Sequence, residues 1–283
     1  MKPVHWLRAM IMVRSLPAGR RSEFAIRLMI PLLPAILSIG CANLTEKGHW
    51  GASAGWPDGQ RLASAAAKAA RNPNTWVPAA GALLFGATNL DNKVSDDAID
   101  HATVFGTHAD SASDTLRDIS IASYLLTTML VPSDSLRSRA SGLLVGGSTL
   151  LADRMLVDGL KTATARERPD GSNNSSFPSG HTSLASVSVN MAVGNLAYVN
   201  MPDWARLTSN AALYGTAAAT GWARVEAGKH HPADVLAGYA IGSFLARFAY
   251  HAFLESGDVT LPVSIHTTPL PGGALLSLYL PLR

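Results

Sequence analysis

Apolar residues recur at helical spacing through most of this 283-residue chain. Three- and four-residue steps predict helices near 78–90, 95–103, 113–130, 136–168, 181–199, 204–227 and 232–255, with a further helical patch at 61–71. Pro132, Pro169, Pro202 and Pro232 fall between these segments or at their first turns, where a missing N–H is tolerated. After residue 257 the period changes to two. Val259, Leu261, Val263 and Ile265 alternate, residues 269–273 can turn, and Leu276, Leu278 and Leu280 alternate again, which is a hairpin pattern with Pro262 confining its first strand to an edge. The expected fold class is all-α, a helical bundle with a short C-terminal β-hairpin. Its expected segments are a leader (1–40), a tether (41–74) rich in Gly, Ser and Ala, the helical domain (75–257) and the hairpin tail (258–283).

Composition leaves a choice between an Ala-rich bundle and a membrane protein. Apolar residues are 47% of the chain and charged residues only 15%, below the usual quarter of a soluble domain. A spanning helix needs about 20 mostly apolar residues. The uncharged stretch between Asp118 and Asp134 has 15 residues and that between Arg139 and Asp153 has 13. The stretch 182–202 is long enough, but Ser183, Ser186, Ser188, Asn190, Asn195 and Asn200 make it a poor helix to set against lipid. The pattern therefore favours a bundle that does not span the bilayer, with an integral inner-membrane protein as the alternative.

The basic pI of about 9.1 raises a nucleic-acid partner, but its source excludes one. Residues 1–40 hold Lys2, Arg8, Arg14, Arg20, Arg21 and Arg27 against Glu23 alone, so of 23 basic and 20 acidic residues the remaining chain keeps 17 and 19. No basic run or basic–aromatic ladder remains there. The leader itself has a positive region, Arg20 to Arg27, followed by the apolar run Leu28 to Ile39 and the sole cysteine, Cys41. A single cysteine forms no internal disulfide. Its position after Leu37-Ser38-Ile39-Gly40 resembles a bacterial lipobox, so Cys41 is expected to be acylated. Cleavage elsewhere, or a buried structural cysteine, is the alternative. The expected location is the periplasmic face of a bacterial envelope, lipid-anchored and most simply at the outer membrane.

Three short blocks carry the candidate chemistry. In the first, Lys161 and Arg168 stand seven apart, which on a continuous helix places both on one face, while Arg166 is rotated about 140° from Lys161 and points elsewhere. A basic last turn answering the helix dipole, with Lys161 paired to Asp158, explains this block equally well. The second, Pro178-Ser179-Gly180-His181, opens a helix with a tight turn whose backbone N–H groups favour an anion, and His181 at that mouth can protonate a leaving oxygen. An ordinary capped helix start is the alternative. In the third, Arg224 closes a helix, and His230 and Asp234 lie four apart, so that the carboxylate can accept one imidazole N–H and leave the other nitrogen as a nucleophile. His231 competes, but it precedes Pro232 and is biased away. Asp234 as a plain helix-start residue is the alternative there.

The three blocks in this order resemble the type 2 phosphatidic acid phosphatase family, which includes bacterial class A acid phosphatases, glucose-6-phosphatase and vanadium haloperoxidases. That family's pattern is Lys, six residues, Arg-Pro, then Pro-Ser-Gly-His, then Ser-Arg, five residues, His, three residues, Asp. The resemblance spans about residues 75–255 and implies the helical bundle of that family. It implies His230 as the nucleophile of a phosphohistidine intermediate, Asp234 as its partner and His181 as general acid. Lys161, Arg168, Ser179, Gly180 and Arg224 would hold the phosphate oxygens. The implied activity is a metal-independent phosphatase acting on phosphomonoesters or on lipid phosphates or pyrophosphates, without cofactor, since no His, Asp or Glu cluster has metal-ligand spacing. A vanadium-dependent haloperoxidase and a non-enzymatic anion-binding lipoprotein are the alternatives. Ala223 stands where the family has serine, and only eight residues separate Pro169 from Pro178. The expected partners are a phosphorylated small molecule or lipid phosphate and, through the anchor, the membrane.

Overall fold

The computed structural model describes residue 50 and residues 56–133, 135–254, 264–270 and 273–279. The leader, Cys41 and much of the expected tether lie outside the described residues. Helix starts follow local signals. α1 (Gly59–Arg71) is capped by Asp58, whose carboxylate accepts from the Arg61 N–H at 2.7 Å. α2 (Pro73–Gly86) opens with proline after Asn72, whose side chain accepts from the Asn74 N–H at 3.0 Å. α3 (Leu90–His101) leads through a 3-10 turn (Gly106–His108) into α4 (Ala109–Leu130). Then come α5 (Leu136–Thr164), α6 (Gly180–Leu196), α7 (Asp203–Glu226) and α8 (Pro232–Ala249), which widens into a π turn at Tyr250–Leu254.

α6 is the axis of the bundle. It packs against α4, α5, α7 and α8, and α8 carries α1 and α2 on its other side. The helical patch near 61–71 thus belongs to the bundle rather than to a tether, with Ala65 and Ala69 buried in the contact. Val187, Val189, Met191 and Leu196 of α6 are fully buried, each worth roughly 1.5–3 kcal/mol relative to exposure. Close approach of α8 to α6 depends on Gly238 and Gly242: a Cβ there would stand 2.4 Å from the Ser179 carbonyl oxygen and 2.3 Å from that of Ser183.

The polar side chains of α6 are interior groups with partners. Ser186 donates to the Tyr239 carbonyl at 2.8 Å, and Ser183 donates to Asp153, whose carboxyl burial pushes up to about 6. Asn195 donates to Thr128 at 2.9 Å and accepts from Tyr250, which in turn accepts from the buried Trp50 indole at 2.7 Å. Buried polar groups cost several kcal/mol unless paired in this way. Their sequence pattern therefore marks a bundle centre. Among the described residues no helix is long and apolar enough to cross a membrane.

Two expectations shift. α5 was expected to run to Arg168 but ends at Thr164, because Ala165 turns left-handed (φ 43°) and returns its N–H to the Lys161 carbonyl at 3.0 Å. At the C-terminus β1 (Ser264–Leu270) pairs antiparallel with β2 (Gly273–Tyr279), Thr267 opposite Leu276. This pairing lies later than the alternation at 259–265 implies, and Pro262 falls outside the described residues.

Candidate active site

The site forms where the end of α5, the 165–179 segment, the start of α6, the end of α7 and the start of α8 meet. Short backbone bonds tie these pieces together: Ser176 N–H to the Arg166 carbonyl (2.9 Å), Asp170 N–H to Gly228 (3.0 Å), Ser179 N–H to Asp234 (2.9 Å) and His230 N–H to Arg224 (3.3 Å). Gly228 makes the turn between α7 and α8 at φ 66°, in the left-handed region that a side chain resists.

His230 is almost completely buried, and its Nδ1 lies 2.6 Å from the Ser176 carbonyl oxygen. A carbonyl only accepts, so Nδ1 carries the hydrogen and the neutral ring holds its lone pair on Nε2. Nε2 makes no hydrogen bond among the described residues. Burial, then the charges of Lys161 and Arg224, holds the imidazole well below the ordinary histidine value, with Arg168 adding to the effect. All three expected cations therefore converge on this ring.

Here the sequence expectation needs correcting. Asp234 Oδ2 stands 4.0 Å from His230 Nδ1, too far to accept its hydrogen. The buried carboxylate is occupied by Arg166 Nη1 (2.6 Å), the Ser176 hydroxyl (2.5 Å) and the His231 N–H (2.9 Å). Arg166, expected to face elsewhere, bridges Asp234 and the buried Asp91 (2.5 Å). The reason is the early end of α5: past Ala165 the chain is no longer helical, so helical rotation does not govern either Arg166 or Arg168. Ser176 thus orients the imidazole through its carbonyl, and Asp234 holds Ser176 in place. His231 turns to Ser95 at 3.0 Å and stays out of the site.

The cationic side chains expected to bind an anion are only partly satisfied by protein. Lys161 donates to the Ser175 carbonyl at 2.6 Å rather than to Asp158, and burial beside Arg168 lowers its ammonium to about 8. Arg224 donates to Asp110 and, at 3.2 Å, to Ser113. Yet Arg224 Nε and Arg168 Nε are buried without a hydrogen-bond partner, and an unpaired buried charged donor costs more than a neutral one. The first N–H groups of α6 lack intrahelical acceptors at the same place, beginning with Gly180. Ser179 is buried with its hydroxyl 2.9 Å from that of Thr182, so its contribution to the pocket is the turn itself. His181 borders the site with Nε2 2.7 Å from Asp114. Ala223 is buried against α4, where the serine of the family pattern would need a partner.

Among the described residues no group of three or more His, Cys, Asp or Glu side chains could hold a metal. Sequence reasoning missed Arg166, Ser176, Asp91, Asp110, Asp114 and Arg117. Only the capping geometry at His231–Asp234 hinted at any of this, since a carboxylate three residues into a helix often turns back to the helix start.

The arrangement is a buried, neutral histidine under the influence of three cations beside a helix N-terminus, on an all-α bundle. Residues 142–258 match the family model of the PAP2 superfamily. The matched stretch contains all three blocks, from Lys161 to Asp234. A lipid A 1-phosphatase of Porphyromonas gingivalis is 32% identical over 95 residues, covering 34% of this chain. The chain spans about a fifth of the length of that curated relative, 20%. The crystal structure of a transmembrane PAP2 type phosphatidylglycerolphosphate phosphatase from Bacillus subtilis aligns at 22% identity and a TM-score of 0.47, over 62% of this chain and 94% of that one.

Proposed function

We propose that this chain is a phosphoric ester hydrolase that transfers a phosphoryl group to His230 and then to water. The observation that carries the reading is the unprotonated, inward His230 Nε2 ringed by Lys161, Arg168 and Arg224, two of which keep a buried N–H unpartnered. In the first step Nε2 forms a bond to phosphorus while the ester P–O bond breaks, and His181 gives a proton to the departing oxygen. Water then attacks the phosphohistidine, His181 takes its proton, and the P–N bond breaks to free phosphate and His230. The three cations and the α6 N–H groups stabilise the charge on the equatorial oxygens. No step calls on a metal ion.

A lipid phosphate is the favoured substrate class. The related P. gingivalis protein is named for one, and an apolar groove of about 620 Å³ runs between α5 and α8, lined by Leu144, Val145, Leu245, Phe248 and Phe253. It reaches Ala152, nine residues and so about 13 Å along α5 from Lys161, a separation an acyl chain can span. The proposed setting is the periplasmic face of a bacterial envelope, with the chain tethered through an acylated Cys41.

The purified chain should hydrolyse p-nitrophenyl phosphate, prefer lipid phosphates in a substrate panel, be inhibited by vanadate and tolerate EDTA. Absence of turnover on every phosphate ester of the panel overturns the reading, and loss of activity in EDTA overturns metal independence. The lowered Lys161 adds a pH signature. In the free enzyme kcat/KM should fall as pH rises through about 8, because the neutral amine no longer attracts the phosphate dianion. Lys161→Arg should remove that limb, since a guanidinium stays charged there. A limb unchanged in Lys161→Arg would assign it to another group.

A further inference from the structure

α4 presents a polar row to the site that no part of the sequence pattern indicates. Asp110, Ser113, Asp114 and Arg117 fall at i, i+3, i+4 and i+7, one face of the helix. Asp110 and Ser113 take up Arg224. The other two meet the general-acid candidate: His181 Nε2 lies 2.7 Å from Asp114 Oδ1 and 2.7 Å from Arg117 Nη1, and Arg117 is itself 3.0 Å from Asp114 and 2.9 Å from Asp118.

One ring nitrogen cannot serve both neighbours at once. With a hydrogen it donates to Asp114, and without one it accepts from Arg117. Either way Nε2 is engaged outside the phosphate pocket, and Nδ1 is the nitrogen left for the reaction. No protein hydrogen bond reaches Nδ1 among the described residues. We propose that Asp114 is a positioning residue for the general acid: by binding Nε2 it aims His181 Nδ1 at the leaving oxygen and stabilises the protonated ring, while Arg117 keeps Asp114 ionised and in register. This inference rests on the phosphoryl-transfer reading above. When the Nδ1 proton passes to the leaving oxygen, the imidazolium becomes the neutral Nε2–H form without losing its bond to Asp114. The ring therefore need not turn before Nδ1 accepts the proton of the attacking water.

The charged groups facing the ring are Asp114 and Arg117 from α4 and Arg224 from α7. Burial, then Arg224, lowers the His181 value and the Asp114 hydrogen bond opposes them, while that same bond holds Asp114 below the usual carboxylate range. Loss of the Asp114 charge should therefore move protonation of His181 to lower pH.

The test separates positioning from plain structural support by leaving group. A nitrophenolate departs without a proton and a primary alkoxide does not, so only the alkyl ester depends on the acid. Asp114→Asn should lower the ratio of kcat/KM for a primary alkyl phosphate to that for p-nitrophenyl phosphate by about tenfold or more, part of the roughly 10²–10⁴ that a general acid supplies. It should also shift the acid-dependent limb of the alkyl profile to lower pH, and Asp114→Glu should restore part of the ratio. Asp114 is half exposed, and a melting curve matching wild type confirms that the variant folds. An unchanged ratio in folded Asp114→Asn, whether both rates fall equally or neither falls, overturns the proposal. His181→Ala is the control on the underlying reading: if it too leaves the ratio unchanged, His181 is not the acid and the parent assignment fails instead.

Discussion

His230→Ala should hydrolyse p-nitrophenyl phosphate at least roughly 10⁴-fold more slowly than wild type, in kcat, as expected for removal of a nucleophile. Two neighbouring basic groups are engaged elsewhere. His231, the adjacent histidine, is turned to Ser95, and Lys161 is committed to the Ser175 carbonyl. The loss should be chemical rather than a loss of binding, because Lys161, Arg168 and Arg224 sit on other segments and remain in place. Inorganic phosphate should thus still bind His230→Ala, read by calorimetry, while single-turnover experiments trap no phosphorylated enzyme. Acid-labile phosphate on wild-type protein, absent from the variant, would identify the intermediate. Turnover within about tenfold of wild type would remove His230 from the role of nucleophile.

Arg166→Ala should be the most damaging substitution of a residue that does not face the phosphate. Arg166 neutralises two buried carboxylates at once, Asp91 at 2.5 Å and Asp234 at 2.6 Å. Removing one partner of a buried pair typically costs about 3–5 kcal/mol, because the remaining charge loses its compensation inside the protein. Asp91 also accepts the Ala233 N–H at the start of α8, and Asp234 holds Ser176, whose carbonyl orients His230. Denaturant unfolding should show a loss of about 3 kcal/mol, and kcat should fall even at temperatures where the variant is folded. Arg166→Lys should recover little, since one ammonium cannot reproduce the two-pronged geometry of the guanidinium. A stability change below about 0.5 kcal/mol, the range of ordinary surface substitutions, would show that the bridge contributes little.

These two residues differ in how visible they are along the chain. His230 belongs to a spaced block, and its neighbours Arg224 and Asp234 are within a turn or two of it. Arg166 sits between two residues of another block, and helical rotation from Lys161 points it the wrong way. That inference failed at one residue, Ala165, whose left-handed backbone ends α5 early. Alanine carries no signal for such a conformation, whereas at a comparable φ of 66° position 228 holds glycine, the residue type that permits it. Asp114 and Arg117 were hidden for another reason. They lie 67 and 64 residues from His181, on a helix that carries none of the three spaced blocks.

The sequence by itself determined the helical class, the order of the helices and the residue types of the site, since apolar periodicity, proline placement and motif spacing are local properties. It also marked residues 182–202 as too polar to set against lipid, and Ser183, Ser186, Ser188, Asn190 and Asn195 are indeed buried at the bundle axis, while Asn200 beyond the helix is exposed. Tertiary structure decided which groups pair. The spacing of His230 and Asp234 permits a direct hydrogen bond, but the fold gives the imidazole hydrogen to Ser176 and the carboxylate to Arg166. Hydrogen-bond geometry is settled within a few tenths of an ångström, and that precision comes from packing segments as far apart in the chain as Asp91 and Ala233, 142 residues. Spacing along one helix cannot supply it.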